Sequence, residues 1–272
     1  MYKSNNYEPE IDVMKAYNRE NSFHHTVDTP KPNAFHKHMH NGYELLYFVK
    51  GDAEYIIEGS TYRLRAGDLL FIHPRKFHYL KPLSDAVYER FVIHFSLDRL
   101  PDELQSFTEN TGEIYRIEKG SLAERFFGMW EEAEALFSQE EMKEYLYSSL
   151  VAILLYVKYL PTENKISPIR TEPTLDNILR YIDSHPEEQL TADILSAKFY
   201  MSSSWIVHSF RKSLGISLMQ YIQKKRVLYA ENLILNGALP TDVAKQCNYE
   251  SYSTFYRQYK KILGVSPAQT RK

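Results

Sequence analysis

Four side chains in the first third of the chain are spaced for chemistry. The stretch reads His38-x-His40-x3-Glu44-x6-Gly51, followed by Gly67-Asp68, Pro74 and His78. Three imidazoles and a carboxylate on neighbouring strands suit a borderline divalent metal. The same groups at a barrel mouth could instead line a pocket for a sugar or small acid, or simply hydrogen-bond loops, and the residues leave all three open. Tyr47, with Tyr43, Tyr55 and Tyr62, offers a stacking surface for a sugar, although tyrosine-rich strands are equally typical of barrel packing. No cofactor is required by this reading, and a divalent metal is its minor variant.

A second group is basic. Residues 203–272 carry 11 Lys and Arg against 3 Asp and Glu, in a chain whose net charge is −2. Such a lobe is the electrostatic footprint of a polyanion partner. Two segments there have the form of a helix-turn-helix. In the first, Thr191 caps ADILSAKFY, the triplet Ser202-Ser203-Ser204 caps SWIVHSFRKSL, and Gly215 ends it. In the second, Thr241 caps DVAKQC, Asn248 and Tyr249 form the turn, and Ser251 starts SYSTFYRQYKKIL before Gly264.

Helical spacing then sorts the faces. Ile206, Phe210 and Leu214 form one core stripe, and Phe255, Tyr259 and Ile262 the other. The remaining faces offer Ser204, Trp205, His208, Arg211 and Lys212, and Ser253, Thr254, Arg257, Lys260 and Lys261. Arg and Lys suit phosphate and guanine edges, Ser and Thr suit either, and His can donate to bases. One such face is as easily a solvated surface. Two of them, with Trp205 turned outward, favour DNA. The joining segment, Ser217 to Leu235, spans roughly 28 Å as a helix, close to the ~34 Å between successive major-groove faces.

The elements that must position these groups follow from pattern. ELLYFVKG, AEYIIEG, STYRLRAGDLLFIHP and AVYERFVIHFS are short β-type runs broken at Gly51, Gly59, Gly67 and Pro74, which indicates an all-β sandwich or barrel. From Ser121 the period becomes helical, with Phe126, Phe127, Trp130, Ala133, Leu136 and Phe137 on one stripe and a second helix through Leu150, Ile153, Leu154 and Val157. PTENKISPIRTEPT reads as a linker separating the two halves. The single cysteine, Cys247, excludes an internal disulfide, fits a reducing compartment, and lies on an inner helix face where it should be inert. No apolar signal region or run of about 20 apolar residues is present, so a cytoplasmic protein without a membrane partner is expected.

The stretch RVLYAENLILNGALPTDVAKQCNYESYSTFYRQYKKILGVSPAQTRK resembles the signature of the AraC/XylS family of transcription regulators. The resemblance rests on Arg226, Ala230, Leu233, Val243, Ala244, Tyr249, Phe255, Arg257, Tyr259, Lys260, Gly264, Pro267 and Arg271. It implies a seven-helix DNA-binding domain that reads two adjacent major-groove segments. Asn248 stands where the family usually has glycine, and Asn tolerates the positive φ needed there. Thr270 replaces a common Tyr, with weaker local packing expected. The histidine stretch resembles the two motifs of cupin barrels, whose enzymes ligate Fe, Mn, Ni or Zn through the corresponding His38, His40, Glu44 and His78; the Gly after Pro74 and the closing Asn are missing here.

The resulting expectation is an α+β multidomain chain: an N-terminal cupin-like β-barrel followed by helices, then a C-terminal all-α domain with two helix-turn-helix motifs. Its divisions are a polar segment 1–20, an effector-sensing barrel 21–115, a covering or dimerisation segment 116–162, a linker 163–173 and the DNA-binding domain 174–272. The function expected is a sequence-specific transcription regulator and not an enzyme. Its partners would be double-stranded DNA, a small-molecule effector such as a carbohydrate, a second copy in a homodimer, and RNA polymerase if it activates. A cupin enzyme with a DNA-binding tail and a sequence-indifferent nucleoid protein are the competing readings.

Overall fold

Strand parity along Tyr43–Lys50 decides how the N-terminal half is layered. Leu45 and Tyr47 point to one side of this strand and Leu46 and Phe48 to the other, and both sides are buried. The computed structural model describes residues 22–29, 37–112 and 114–271; the polar segment 1–20 lies outside the described residues. Its strands are β1 (Ser22–Asp28), β2 (Tyr43–Lys50), β3 (Ala53–Ile57), β4 (Ser60–Arg63), β5 (Asp68–Ile72), β6 (His78–Pro82), β7 (Tyr88–Phe95) and β8 (Ile114–Arg116). They pair antiparallel into a five-stranded sheet ordered β1-β7-β2-β5-β8 and a three-stranded sheet ordered β4-β3-β6. The β-rich half is therefore two facing sheets, and the closed barrel expected from the strand pattern is not formed among the described residues.

Between the sheets lie Leu46, Phe48, Tyr55, Ile57, Leu70, Ile72 and Leu80. The outer face of the larger sheet is covered by helices, α1 (Asp102–Asn110), α2 (Leu122–Gly128), α3 (Trp130–Leu136) and α4 (Gln139–Lys158). Ile153, Leu154 and Val157 of α4 pack on Leu45, Leu69, Phe71 and Ile93. Helix α1 is not legible in the sequence pattern. The single helix expected over 121–137 is broken at Met129, and Leu136 and Phe137 are exposed rather than part of a buried stripe.

The expected linker is not free. Ile166 N–H donates to Ile114 O at the β8 edge, and Thr61 N–H on β4 donates to Arg170 O. The stretch thus runs along the open edges of both sheets. The C-terminal region holds seven helices among the described residues: α5 (Pro173–Ser184), α6 (Ala192–Phe199), α7 (Ser203–Leu214), α8 (Leu218–Leu235), α9 (Pro240–Gln246), α10 (Tyr252–Leu263) and α11 (Pro267–Thr270). Thr191, Ser202, Ser217 and Ser251 each accept from the N–H three residues on, as N-caps should. Thr241 does not: α9 starts at Pro240, whose fixed φ suits the first helical position, and Leu239 precedes it without a side-chain cap. Gly215 and Gly264 end α7 and α10 in the left-handed region.

Both core stripes are buried, Ile206, Phe210 and Leu214 in the first motif and Phe255, Tyr259 and Ile262 in the second. Arg226 of α8 donates to Pro186 O and Glu188 O, so this family landmark is a structural tie. Thr270 does not loosen its surroundings; its hydroxyl accepts from Tyr259 at 2.9 Å. Cys247 is buried, and burial pushes its thiol up to about 11, consistent with an inert group. Asn248 has φ 56° and its side chain donates to Glu187 O. Asn248→Ala should therefore destabilise the chain by about 1–2 kcal/mol through the left-handed backbone alone, and Asn248→Gly by less, as read by urea unfolding.

Candidate functional site

Register brings the polar groups together. Glu44 sits on the inward parity of β2 with Leu46 and Phe48, and it pairs directly with His94 of β7. His38 N–H donates to His78 O at 3.1 Å and His78 N–H returns a bond to His38 O at 2.9 Å, which fixes the approach to β2 against β6. Donor atoms of His38, His40, Glu44 and His78 all lie within 4.8 Å of one another. Glu44 Oε2 is 3.0 Å from His40 Nε2, 3.2 Å from His94 Nε2 and 3.5 Å from His78 Nε2, and Tyr55 OH donates to Oε1 at 3.4 Å.

Tautomers follow from the outer contacts. His40 Nδ1 is 2.8 Å from Gly42 O, and His78 Nδ1 is 2.8 Å from Lys76 O. A carbonyl only accepts, so both Nδ1 atoms carry hydrogen. Both Nε2 atoms then face a carboxylate, and a bare lone pair there would be repelled. The centre calls for a hydrogen or a cation between imidazole and carboxylate. Backbone carbonyls that fix the Nδ1–H tautomer are also the usual outer support of metal-bound histidine. Burial pushes the Glu44 carboxyl up, but hydrogen bonds from His40, His78 and His94 together outweigh it and hold it well below the usual carboxylate range.

Tyr47 is not part of this site. Its odd parity sends it through the opposite face of β2, where its ring stacks on Phe127 at 4.5 Å under the helices. Tyr43 shares that parity and stacks on Phe95, whereas Tyr55 and Tyr62 face inward. His94 and Tyr55 are site residues that the motif does not reveal. The register opposite Glu44 is what identifies His94.

The basic faces lie on α7 and α10. Ser204, His208, Arg211 and Lys212 are exposed on α7, and Ser204, His208 and Arg211 share a shallow depression with Ser203 and Val207. Trp205, expected to face outward, is instead half-buried against the core of the first motif. On α10, Ser253, Arg257, Lys260 and Lys261 are exposed; Thr254 is half-buried and bonded to Ser251. Tyr256, exposed three residues after Ser253, falls on the same face and escapes a sequence reading because tyrosine there looks like packing.

Two family models match the chain: an AraC-like ligand binding domain over residues 26–150 and a helix-turn-helix domain over residues 195–272, together about three quarters of its length. The chain is 23% identical over 256 residues to the HTH-type transcriptional activator RhaR of Escherichia coli, covering 90% of each protein, and equally to that of Shigella boydii. Among solved structures it is similar to ToxT from Vibrio cholerae, at 17% identity and TM-score 0.39 over 91% of this chain and 96% of that one. It is also similar to the C-terminal domain of AraT, a response regulator from Geobacillus stearothermophilus, at 27% identity and TM-score 0.34 over 38% of this chain and 86% of that one.

The opposite orientations of Tyr47 and Glu44 are separable by mutation. Tyr47→Ala should cost about 3–5 kcal/mol of stability, as loss of a large buried aromatic does, measured by urea unfolding. Tyr47→Phe, which keeps the stack, should leave binding in the histidine pocket unchanged by calorimetry.

Proposed function

The chain belongs to the AraC family, as a DNA-binding transcription regulator with an N-terminal ligand-binding domain and not an enzyme, and from that premise we propose which residues do the reading and the sensing. Helices α7 and α10 each enter a major groove, with Ser204, His208, Arg211 and Lys212 on one and Ser253, Arg257, Lys260 and Lys261 on the other. The observation that carries this is the pairing of two exposed polar faces with two buried stripes on helices held by one joining helix. Trp205 and Thr254 contribute at the margins, through edge contact and through orienting the start of α10.

The effector is a small polar molecule held between the sheets at His38, His40, Glu44 and His78, with His94 and Tyr55 completing the wall. A few convergent polar groups in an otherwise apolar enclosure are the usual form of a ligand pocket. Sugar or sugar-derivative hydroxyls would bond well to this set of imidazoles and carboxylate. A second reading has a specific observation behind it: four donors within 4.8 Å, with both Nδ1 atoms tied to carbonyls, fit a divalent metal. Exposed Leu136 and Phe137 on the covering helices support homodimer formation there, and activation would add RNA polymerase as a partner. Among the described residues no helix is long and apolar enough to cross a membrane.

Arg257→Ala should weaken specific DNA binding by about 1–3 kcal/mol, the size of one good base contact, without changing the melting temperature; fluorescence anisotropy at fixed salt checks it, and unchanged affinity removes Arg257 from the interface. Replacing His40 and His78 together by Ala should abolish the response to an effector found by thermal-shift screening. Metal content before and after chelation distinguishes the two pocket readings: a stoichiometric metal whose removal changes DNA affinity selects the second.

A further inference from the structure

The turn between β3 and β4 uses an unsuited residue. Glu58 and Gly59 both have positive φ, 45° and 84°, a two-residue hairpin turn whose first position favours Asn, Asp or Gly. Glu58 is nevertheless there, and its side chain is buried. Its length explains the choice. Glu58 Oε1 accepts from Phe77 N–H at 2.9 Å, and Oε2 accepts from Tyr221 OH of α8 at 3.0 Å. Lys225, one turn further along α8, places its Nζ 3.4 Å from Glu58 Oε1 and 2.6 Å from Arg75 O. Arg75 is a second non-glycine residue with positive φ, at 65°, and its N–H donates to His40 O at 2.8 Å.

The backbone that carries the histidines is thus also the backbone that grips α8. Along one segment, His38 and His40 face the pocket, while Met39 lies in the core of the first helix-turn-helix and Asn41 donates to Glu231 of α8 at 2.7 Å. Along the other, His78 faces the pocket, while Phe77 enters that core beside Tyr221, with ring centroids 5.6 Å apart. Lys37, next to His38, lies against Gly215 at the end of α7. The histidines and α8 are therefore joined through short, hydrogen-bonded segments.

The receiving end has two positions. Tyr221 OH lies 3.0 Å from Glu58 and 3.1 Å from Asp183 of α5, and a hydroxyl has one hydrogen to give. Lys225 is shared between the same two carboxylates, at 3.4 Å and 2.8 Å. Glu58 belongs to the N-terminal half, and Asp183 to α5, which packs into the core of the first helix-turn-helix. Burial and the neighbouring Glu58 hold the Asp183 carboxyl above its ordinary range, against the pull of Lys225.

We propose that the Tyr221 hydroxyl is a two-position latch, given either to Glu58 or to Asp183 while Lys225 bridges both carboxylates, through which occupancy of the histidine pocket sets how tightly the N-terminal half holds the joining helix. It rests on the pocket reading above. Engagement by Glu58 clamps α8 and the end of α7 to the sheets and restrains the two reading helices. Engagement by Asp183 leaves the DNA-binding helices to adjust to two successive grooves. A ligand that moves His40 or His78 moves Arg75 O and Glu58 with them and hands the latch over.

The test uses the full chain and a duplex selected by the wild-type protein from a random-sequence pool. Affinities are measured by anisotropy, with circular dichroism melts as the folding control. Glu58→Gln keeps an acceptor for Phe77 N–H but loses the charge, and should bind the duplex about fivefold or more tightly than wild type; Asp183→Asn should bind about fivefold or more weakly, the low end of ordinary coupling between sites. Tyr221→Phe, which keeps the ring packing, should erase the effect of Asp183→Asn, and it keeps the latch testable if Glu58→Gln fails to fold. Two carboxylate variants that move affinity in the same direction, or leave it unchanged, overturn the latch. The paired His40→Ala and His78→Ala replacement should alter affinity in the wild-type background and not in Glu58→Gln. If it is additive there, while the carboxylate variants still oppose each other, the latch stands and the pocket reading fails.

Discussion

Helix α8 is enclosed on nearly all sides, and this constraint organises the molecule. Leu218, Tyr221, Ile222 and Leu228 belong to the core of the first motif, and Val227, Ala230 and Ile234 to that of the second. Even Lys224, Lys225 and Glu231 are buried. An ordinary surface helix leaves a polar stripe to water; here that stripe is taken up by the ligand-binding half. One rod of 18 residues, about 27 Å long, therefore sets the separation of α7 and α10 and also meets the segments that carry the histidines. The two halves of the chain thus meet on one helix.

Much of the C-terminal half is legible in the sequence because its signals are local. Ser202, Ser251, Gly215 and Gly264 act on neighbours within one turn, and the stripes through Phe210 and Phe255 need only helical spacing. Asn248 follows from backbone preference alone. The N-terminal half is harder for a physical reason. When both faces of a strand are buried, as in β2, composition does not say which parity looks toward the second sheet, and Tyr47 reads onto the wrong side. His94 lies 50 residues from Glu44 and meets it only through strand pairing. The caps on α7 and α8 are visible in the residues; the bond from Tyr221 to Glu58, across 163 residues, is not.

The two halves also handle buried charge in related ways. Isolated ionised groups inside protein are costly unless paired and hydrogen-bonded. Glu44 is surrounded by three imidazoles, and Glu58 is met by an amide, a phenol and an ammonium group. Apolar replacements of matching volume would fill either space with less electrostatic conflict.

The stretch from Thr162 to Arg170 has the composition of a tether and is instead stitched to β8 at one end and β4 at the other. Unpaired strand edges invite pairing with other chains. These few residues act as a selvedge, finishing both raw margins of the sandwich with backbone hydrogen bonds. Cutting the chain after residue 162, just past the end of α4 and where the composition-based boundary falls, would strip most of that border. The ligand-binding half then extends, for purposes of solubility, to Arg170, and the shortest well-behaved piece of it is longer than its last strand and helix imply.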